Sequence, residues 1–232
     1  MDFTLLGDGI DWFSRAGTVA GVGSWTWFFF RKRSRKRTVV KFFGHENLTI
    51  AIPMRSLANR RAVDEADLNA ASRLRSFLEH LGLTVTLDFV NPDGSIDLTT
   101  PGLIVICGPK SSDDVAHALA TDPRFQFVKR ESQWVIHDAL ADMEYESPMD
   151  VDGSDVDIAY IARARRKAGS RHSFISIAGI HSAGSAVAVD FLSSVKNLRE
   201  LLKGNSVGPF SLLVSGDFSR APFVVHESSR LS

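Results

Sequence analysis

The five residues Leu103-Ile104-Val105-Ile106-Cys107 are apolar without interruption. A strand sends alternate side chains to opposite faces, so a run that is apolar at every position has to be covered on both sides. That is the condition of an inner strand in a parallel sheet flanked by other layers. The run ends in Gly108-Pro109-Lys110-Ser111-Ser112-Asp113, turn formers followed by helix-capping residues, and predicts a short helix from Asp113 to Ala120. This segment alone directs the chain toward a layered α/β architecture.

The rest of the chain extends the pattern. Leu48 to Met54 predicts a first strand, and Asp64 caps a helix whose Leu68, Ala71, Leu74, Leu78 and Leu81 share one face before Gly82. Leu83 to Val90 predicts a second strand, closed by Asn91-Pro92-Asp93-Gly94. Phe125 to Lys129 and Gln133 to His137 predict a hairpin closed near Glu131. Asp157 to Ala164 and Ser173 to Ile180 predict a second antiparallel pair. A single helix is expected from Ser185 to Leu202, then strands at Phe210 to Val214 and Phe223 to Val225. The acid-rich stretch from Asp138 to Asp157 reads as a solvated loop. The expected fold is a Rossmann-like or flavodoxin-like mixed, mainly parallel sheet with helices on both faces and antiparallel hairpin additions. The element order is similar to that of TIR-like domains. That family's signalling acid would have to fall at Asp113 or Asp114, where the surrounding residues do not reproduce its pattern, and no family is assigned.

Upstream lies a different kind of segment. Residues 16–30, AGTVAGVGSWTWFFF, carry no charge, and Arg31, Lys32, Arg33, Arg35, Lys36 and Arg37 follow at once. Fifteen residues fall short of the about 20 needed to cross a bilayer, but Trp12 and Phe13 lengthen the apolar stretch, and Arg15 can snorkel to the interface. A membrane-spanning helix is expected, with attachment along the interface, or packing on the domain, as alternatives. Trp12, Trp25 and Trp27 stand where indoles favour the headgroup region. Acidic residues before the stretch and basic ones after it put the main domain in the cytoplasm, single-pass, against the anionic inner leaflet. Gly17 and Gly21 form a small-xxx-small pair that offers a homodimer contact. The expected organisation is a short segment at 1–15, the anchor at 16–30, a polybasic linker at 31–44 and the α/β domain at 45–232.

Charge supports this division. The 232 residues hold 27 basic and 27 acidic side chains; without the six basic residues named above and Lys41, 20 basic residues face 27 acids. A domain with that acidic balance is a poor nucleic-acid binder, since phosphate contacts rest on Lys and Arg spread over a docking face. A lone cysteine, Cys107, excludes a disulfide framework and reads as a buried, inert thiol of a reducing compartment.

In open α/β sheets, ligands bind beyond the carboxyl ends of the strands, where loops enter helix N-termini. Two corners have that form: Gly108, Lys110, Ser111 and Ser112 after one strand, and Gly179, His181, Ser182, Gly184 and Ser185 after another. Arg55, past the first strand, adds a guanidinium suited to phosphate. Neither corner matches the phosphate-loop or G-x-G-x-x-G pattern. Asp88 occupies the approximate place of a ribose-binding acid. Asp150, Asp152, Asp155 and Asp157 suggest calcium, but Gly153 is misplaced for an EF-hand loop. A Ser182, His137 and Asp217 triad lacks the nucleophile-elbow pattern. No catalytic set, metal or cofactor is assigned. The expected function is a membrane-anchored cytoplasmic sensor of a nucleotide or other phosphorylated small molecule. The alternatives are a nucleotide- or NAD-hydrolysing enzyme with His181 as acid/base and Asp113 or Asp114 as carboxylate, and a non-catalytic scaffold recruiting a protein partner through its acidic loop.

Overall fold

The computed structural model describes residues 27, 30–57, 60–165, 172–204, 208–219 and 224–230. Trp12, Trp25, Gly17, Gly21 and most of the expected anchor lie outside them. Among the described residues no helix is long and apolar enough to cross a membrane.

Seven strands form the central sheet: β1 (Asn47–Pro53), β4 (Thr84–Val90), β5 (Leu103–Ile106), β9 (Val156–Arg165), β10 (Ser173–Gly179), β11 (Phe210–Asp217) and β12 (Val224–Arg230). Their order is β12-β11-β9-β10-β5-β1-β4. β4, β1, β5 and β10 are mutually parallel, whereas β9, β11 and β12 add an antiparallel wing. The pairing of β9 with β10 bears out the expected antiparallel pair and sets it inside the main sheet. A two-stranded ribbon, β2 (Arg55–Leu57) with β3 (Arg60–Ala62), follows β1. The hairpin of β6 (Phe125–Arg130) and β7 (Gln133–Asp138) turns at Glu131, whose φ is +49°, and gains a third strand, β8 (Met143–Tyr145).

The inner strands are apolar on both faces because both are covered. One face packs on α1 (residues 30–43), α2 (Glu65–His80), α5 (Ser182–Leu192) and α6 (Val195–Gly204), joining Ile50, Ile104, Ile161, Ile177 and Leu212 to Leu74, Val187 and Leu198. The other face packs on α3 (Asp113–Leu119) and the β6-β7-β8 sheet, joining Val105, Cys107, Tyr160 and Phe174 to Val115, Phe125 and Ile136. Burial of such side chains stabilises by about 1.5–3 kcal/mol each.

Three expectations change. The polybasic stretch 31–44 is no linker, because it is helical and buries Val39, Phe42 and Phe43 in the core. The expected helix 185–202 starts at Ser182 and breaks at Ser193-Ser194 into α5 and α6. The acid-rich stretch 138–157 is structured: it contains β8 and α4 (Pro148–Asp152), and Asp138, Ser147 and Asp157 within it are fully buried. Asp138 explains part of this. Its carboxylate takes three hydrogen bonds from Arg124, at 2.9–3.1 Å, and the amides of Leu140 and Ala141. That guanidinium holds its pKa below the usual carboxylate value.

Candidate functional site

The four parallel strands deliver their loops to one rim of the sheet. β1 ends at Met54 and Arg55, β4 at Pro92 to Gly94, β5 at Cys107 to Ser112, and β10 at Gly179 to Ser182. The two expected corners therefore adjoin. Lys110 Nζ donates to the Ile180 carbonyl at 2.6 Å, and a methyl group on Gly108 would stand 3.9 Å from the Gly179 carbonyl oxygen.

The corners differ in what they leave open. In the Gly179 corner the amides of Gly179, Ile180, His181 and Gly184 are already engaged. Asp157, at the start of β9, places Oδ2 3.0 Å from the His181 amide and 2.7 Å from the Gly184 amide, while its Oδ1 accepts from the Ser147 hydroxyl at 2.7 Å. An internal carboxylate thus occupies the N-terminus of α5, where an external anion was expected. Gly179 N donates to Ser185 Oγ. The glycines serve this packing: a Cβ on Gly184 would lie 2.6 Å from Asp157 Oδ2, and one on Gly179 would lie 2.0 Å from the His181 carbonyl oxygen. Gly179, Gly184 and Ser185 are therefore corrected from ligand contacts to internal ones. Ser182 lines a separate groove of about 900 Å³ between α2 and α5, which the Arg73–Asp190 ion pair crosses at 2.6 Å.

The Gly108 corner is open. Arg55, Pro92, Asp93, Lys110, Ser111 and Asp113 line a cleft of about 590 Å³ between the β1, β4 and β5 loops. That volume falls in the range of small-molecule sites. Arg55 is half exposed, and its guanidinium stands 3.6 Å from Asp64. Two of the expected contacts depart from this: Gly108 does not line the cleft, and Ser112 is occupied internally. It is buried, its hydroxyl donates to Gly94 O at 2.5 Å and accepts from the Val115 amide, so it caps α3.

Searched against known proteins, the chain matches no family model, no curated protein and no solved structure.

The rim geometry includes residues the sequence did not flag. Asp67, in the first turn of α2, is 5 % exposed, and its pKa rises to about 6 through burial and the neighbouring Asp64, partly opposed by Arg55 and Lys110. Burial also raises Asp157. Burial lowers Lys110, against the pull of Asp157. His181 Nε2 stands 2.9 Å from Asp150 Oδ2. Cys107, beneath the rim, is 2 % exposed with a thiol pushed up to about 12 by burial, as expected of an inert thiol. The signals for these acids are faint in the sequence. Asp67 looks like a first-turn acid of α2, and Asp157 like one more member of an acidic loop.

Other expected groupings do not assemble. Asp150 pairs with His181, Asp152 accepts from the Ser154 amide and Asp157 is buried, so these three do not converge on an ion. The central sheet separates Ser182 from His137, which lies in the small sheet on the other face. Asp114 accepts from the Ile96 amide, which ties it to a neighbouring loop. Asp88 is exposed on the edge strand β4 and accepts from its neighbour's amide.

Proposed function

We propose that this chain is a membrane-held sensor whose α/β domain, flavodoxin-like in its parallel half, binds a nucleotide or other phosphorylated small molecule at the β1, β4 and β5 loops. The parallel strands run second, first, third, fourth in chain order, the flavodoxin-like arrangement in which ligands sit outside the carboxyl ends. The observation that carries the reading is the open cleft at this rim, with Arg55 and Lys110 on its wall and Ser111 beside them. Arg55 supplies the paired donors that phosphate favours, and Lys110 a point charge held by Ile180. Membrane attachment rests on the uncharged stretch 16–30 and the basic residues after it.

Thermal-shift screening of the full chain against nucleotides, sugar phosphates and inorganic phosphate tests this. Stabilisation by a phosphorylated compound, reduced in Arg55→Ala, is the expected result. No shift across the panel contradicts it.

A second reading is favoured by the His181–Asp150 pair. A histidine oriented by a carboxylate has the form of an acid/base device for hydrolysing a nucleotide or NAD. Product analysis after incubation separates the two: turnover abolished by His181→Ala supports the enzyme, and unchanged ligand supports the sensor.

A further inference from the structure

Two helices bring cations and aromatic rings to one surface. Trp27, Phe30, Arg31 and Arg35 on the α1 side, and Lys196 and Arg199 on α6, line a shallow depression of about 520 Å³. Trp27 and Phe30 are 62 % and 68 % exposed, and the Arg31 guanidinium lies 5.1 Å from the Trp27 ring centre. Among the described residues no acid lines the depression; Glu200 on α6 pairs with Lys203 at 2.9 Å. The C-terminal half of α1 is anchored in the domain. Val39, Phe42 and Phe43 of α1 are buried in the core, Arg163 lies over the Phe42 ring at 5.4 Å and donates to the Phe42 carbonyl, and Arg199 reaches Thr38 at 3.5 Å.

We infer that this α1–α6 face docks flat on an anionic bilayer surface, with Lys196 and Arg199 of the folded domain adding to the basic residues of α1. The inference rests on the membrane attachment proposed above and goes beyond it by assigning α6 a part and fixing the domain's orientation. Charge complementarity selects anionic phospholipid: several cations, no lining acid among the described residues, and two exposed aromatic rings of the kind that settle among headgroups. Continuity selects it too, because α1 follows directly on the uncharged stretch. Orientation follows from topology. α1 leads into the start of β1, and α6 begins where α5 has crossed from the carboxyl rim to the opposite edge. Docking therefore turns the cleft of Arg55 and Lys110 away from the bilayer, open to solvent.

The test uses the full chain carrying an environment-sensitive fluorophore on Lys203→Cys, one turn past Arg199 on α6 and exposed; Cys107 is buried and does not compete for label. The labelled protein is mixed with neutral vesicles or with vesicles containing phosphatidylserine, and co-flotation is measured alongside fluorescence. The expected result is a blue-shifted signal on anionic vesicles only. Lys196→Gln with Arg199→Gln then lowers docking about 25-fold, from roughly fivefold per cation, with circular dichroism unchanged. Flotation with equal fluorescence on both vesicle types, untouched by the double variant, overturns this docking while leaving attachment intact. Failure to float with either vesicle overturns both. A response to duplex DNA in place of anionic vesicles makes the face a nucleic-acid surface and also overturns it.

Discussion

At the scale of single residues, the rim is defined by acids held against their solvation preference. Asp67 is the clearest case, because burial and Asp64 raise its pKa from 3.8 to about 6. A carboxyl group whose folded pKa lies above its unfolded value binds protons more tightly in the folded state. Its contribution is most favourable below about 4 and is lost as pH rises through about 6. The difference in unfolding free energy between wild type and Asp67→Asn is therefore near zero at pH 3.5 and grows between pH 4 and 6. At pH 8 the variant is more stable by at most about 3 kcal/mol. Urea titrations at a series of pH values measure this, and a flat difference contradicts it. Asp157 acts in the opposite way on mutation, since its carboxylate satisfies two backbone amides and a hydroxyl. Asp157→Ala strands those donors and costs about 2–4 kcal/mol, read in the same titrations. Lys110 and Arg55 were legible from sequence, because a cation just past an apolar strand can only sit at the strand's end. Asp67 and Asp157 were not legible, because each is defined by tertiary placement: burial beneath the rim for one, and the α5 N-terminus arriving from elsewhere in the chain for the other.

At the scale of elements, local pattern identified what local forces determine. The β6–β7 turn, the doubly apolar β5 and most of the α2 face follow from periodicity and turn chemistry within a few residues and were legible; Leu68, expected on the buried face of α2, is exposed, and Asp67 and Ala70 are buried in its place. The α1 helix was not. Its basic residues dominate composition, and the buried Val39, Phe42 and Phe43 show their role only once Phe210 and Arg163 stand opposite them. Phe42 is 1 % exposed and packs 5.7 Å from the Phe210 ring. Phe42→Ala is expected to cost about 3–5 kcal/mol, and a fragment starting at His45, which lacks three buried side chains, loses cooperative unfolding. Calorimetric melting measures both; a loss under about 1 kcal/mol for Phe42→Ala would show α1 to be a bystander. The break between α5 and α6 was likewise hidden, since Ser193 and Ser194 are compatible with a continuing helix. The Ser193 amide still bonds to the Val189 carbonyl; the turn comes where Asn197 Nδ2 bonds to the Phe191 carbonyl and Ser194 O takes the Leu198 amide.

At the scale of the whole molecule, the mixed sheet has two distinct ends. One edge receives α1 and the start of α6 with their cations. The opposite rim gathers the loops of four parallel strands, and there the Gly108 corner stays open while Asp157 fills the Gly179 corner. Rim and fold class were both inferable from sequence, since parallel strands must send their loops to one side. Which corner stayed open was not, because it depends on a carboxylate arriving from β9. The central claim, that the open corner binds a phosphorylated small molecule, is tested most directly by titration calorimetry of the full chain with a nucleotide series, comparing wild type with Arg55→Ala. The account predicts saturable binding of at least one nucleotide, weakened by on the order of tenfold in the variant, equivalent to about 1.4 kcal/mol. Absence of binding across the series, or an affinity that Arg55→Ala leaves unchanged, would contradict it.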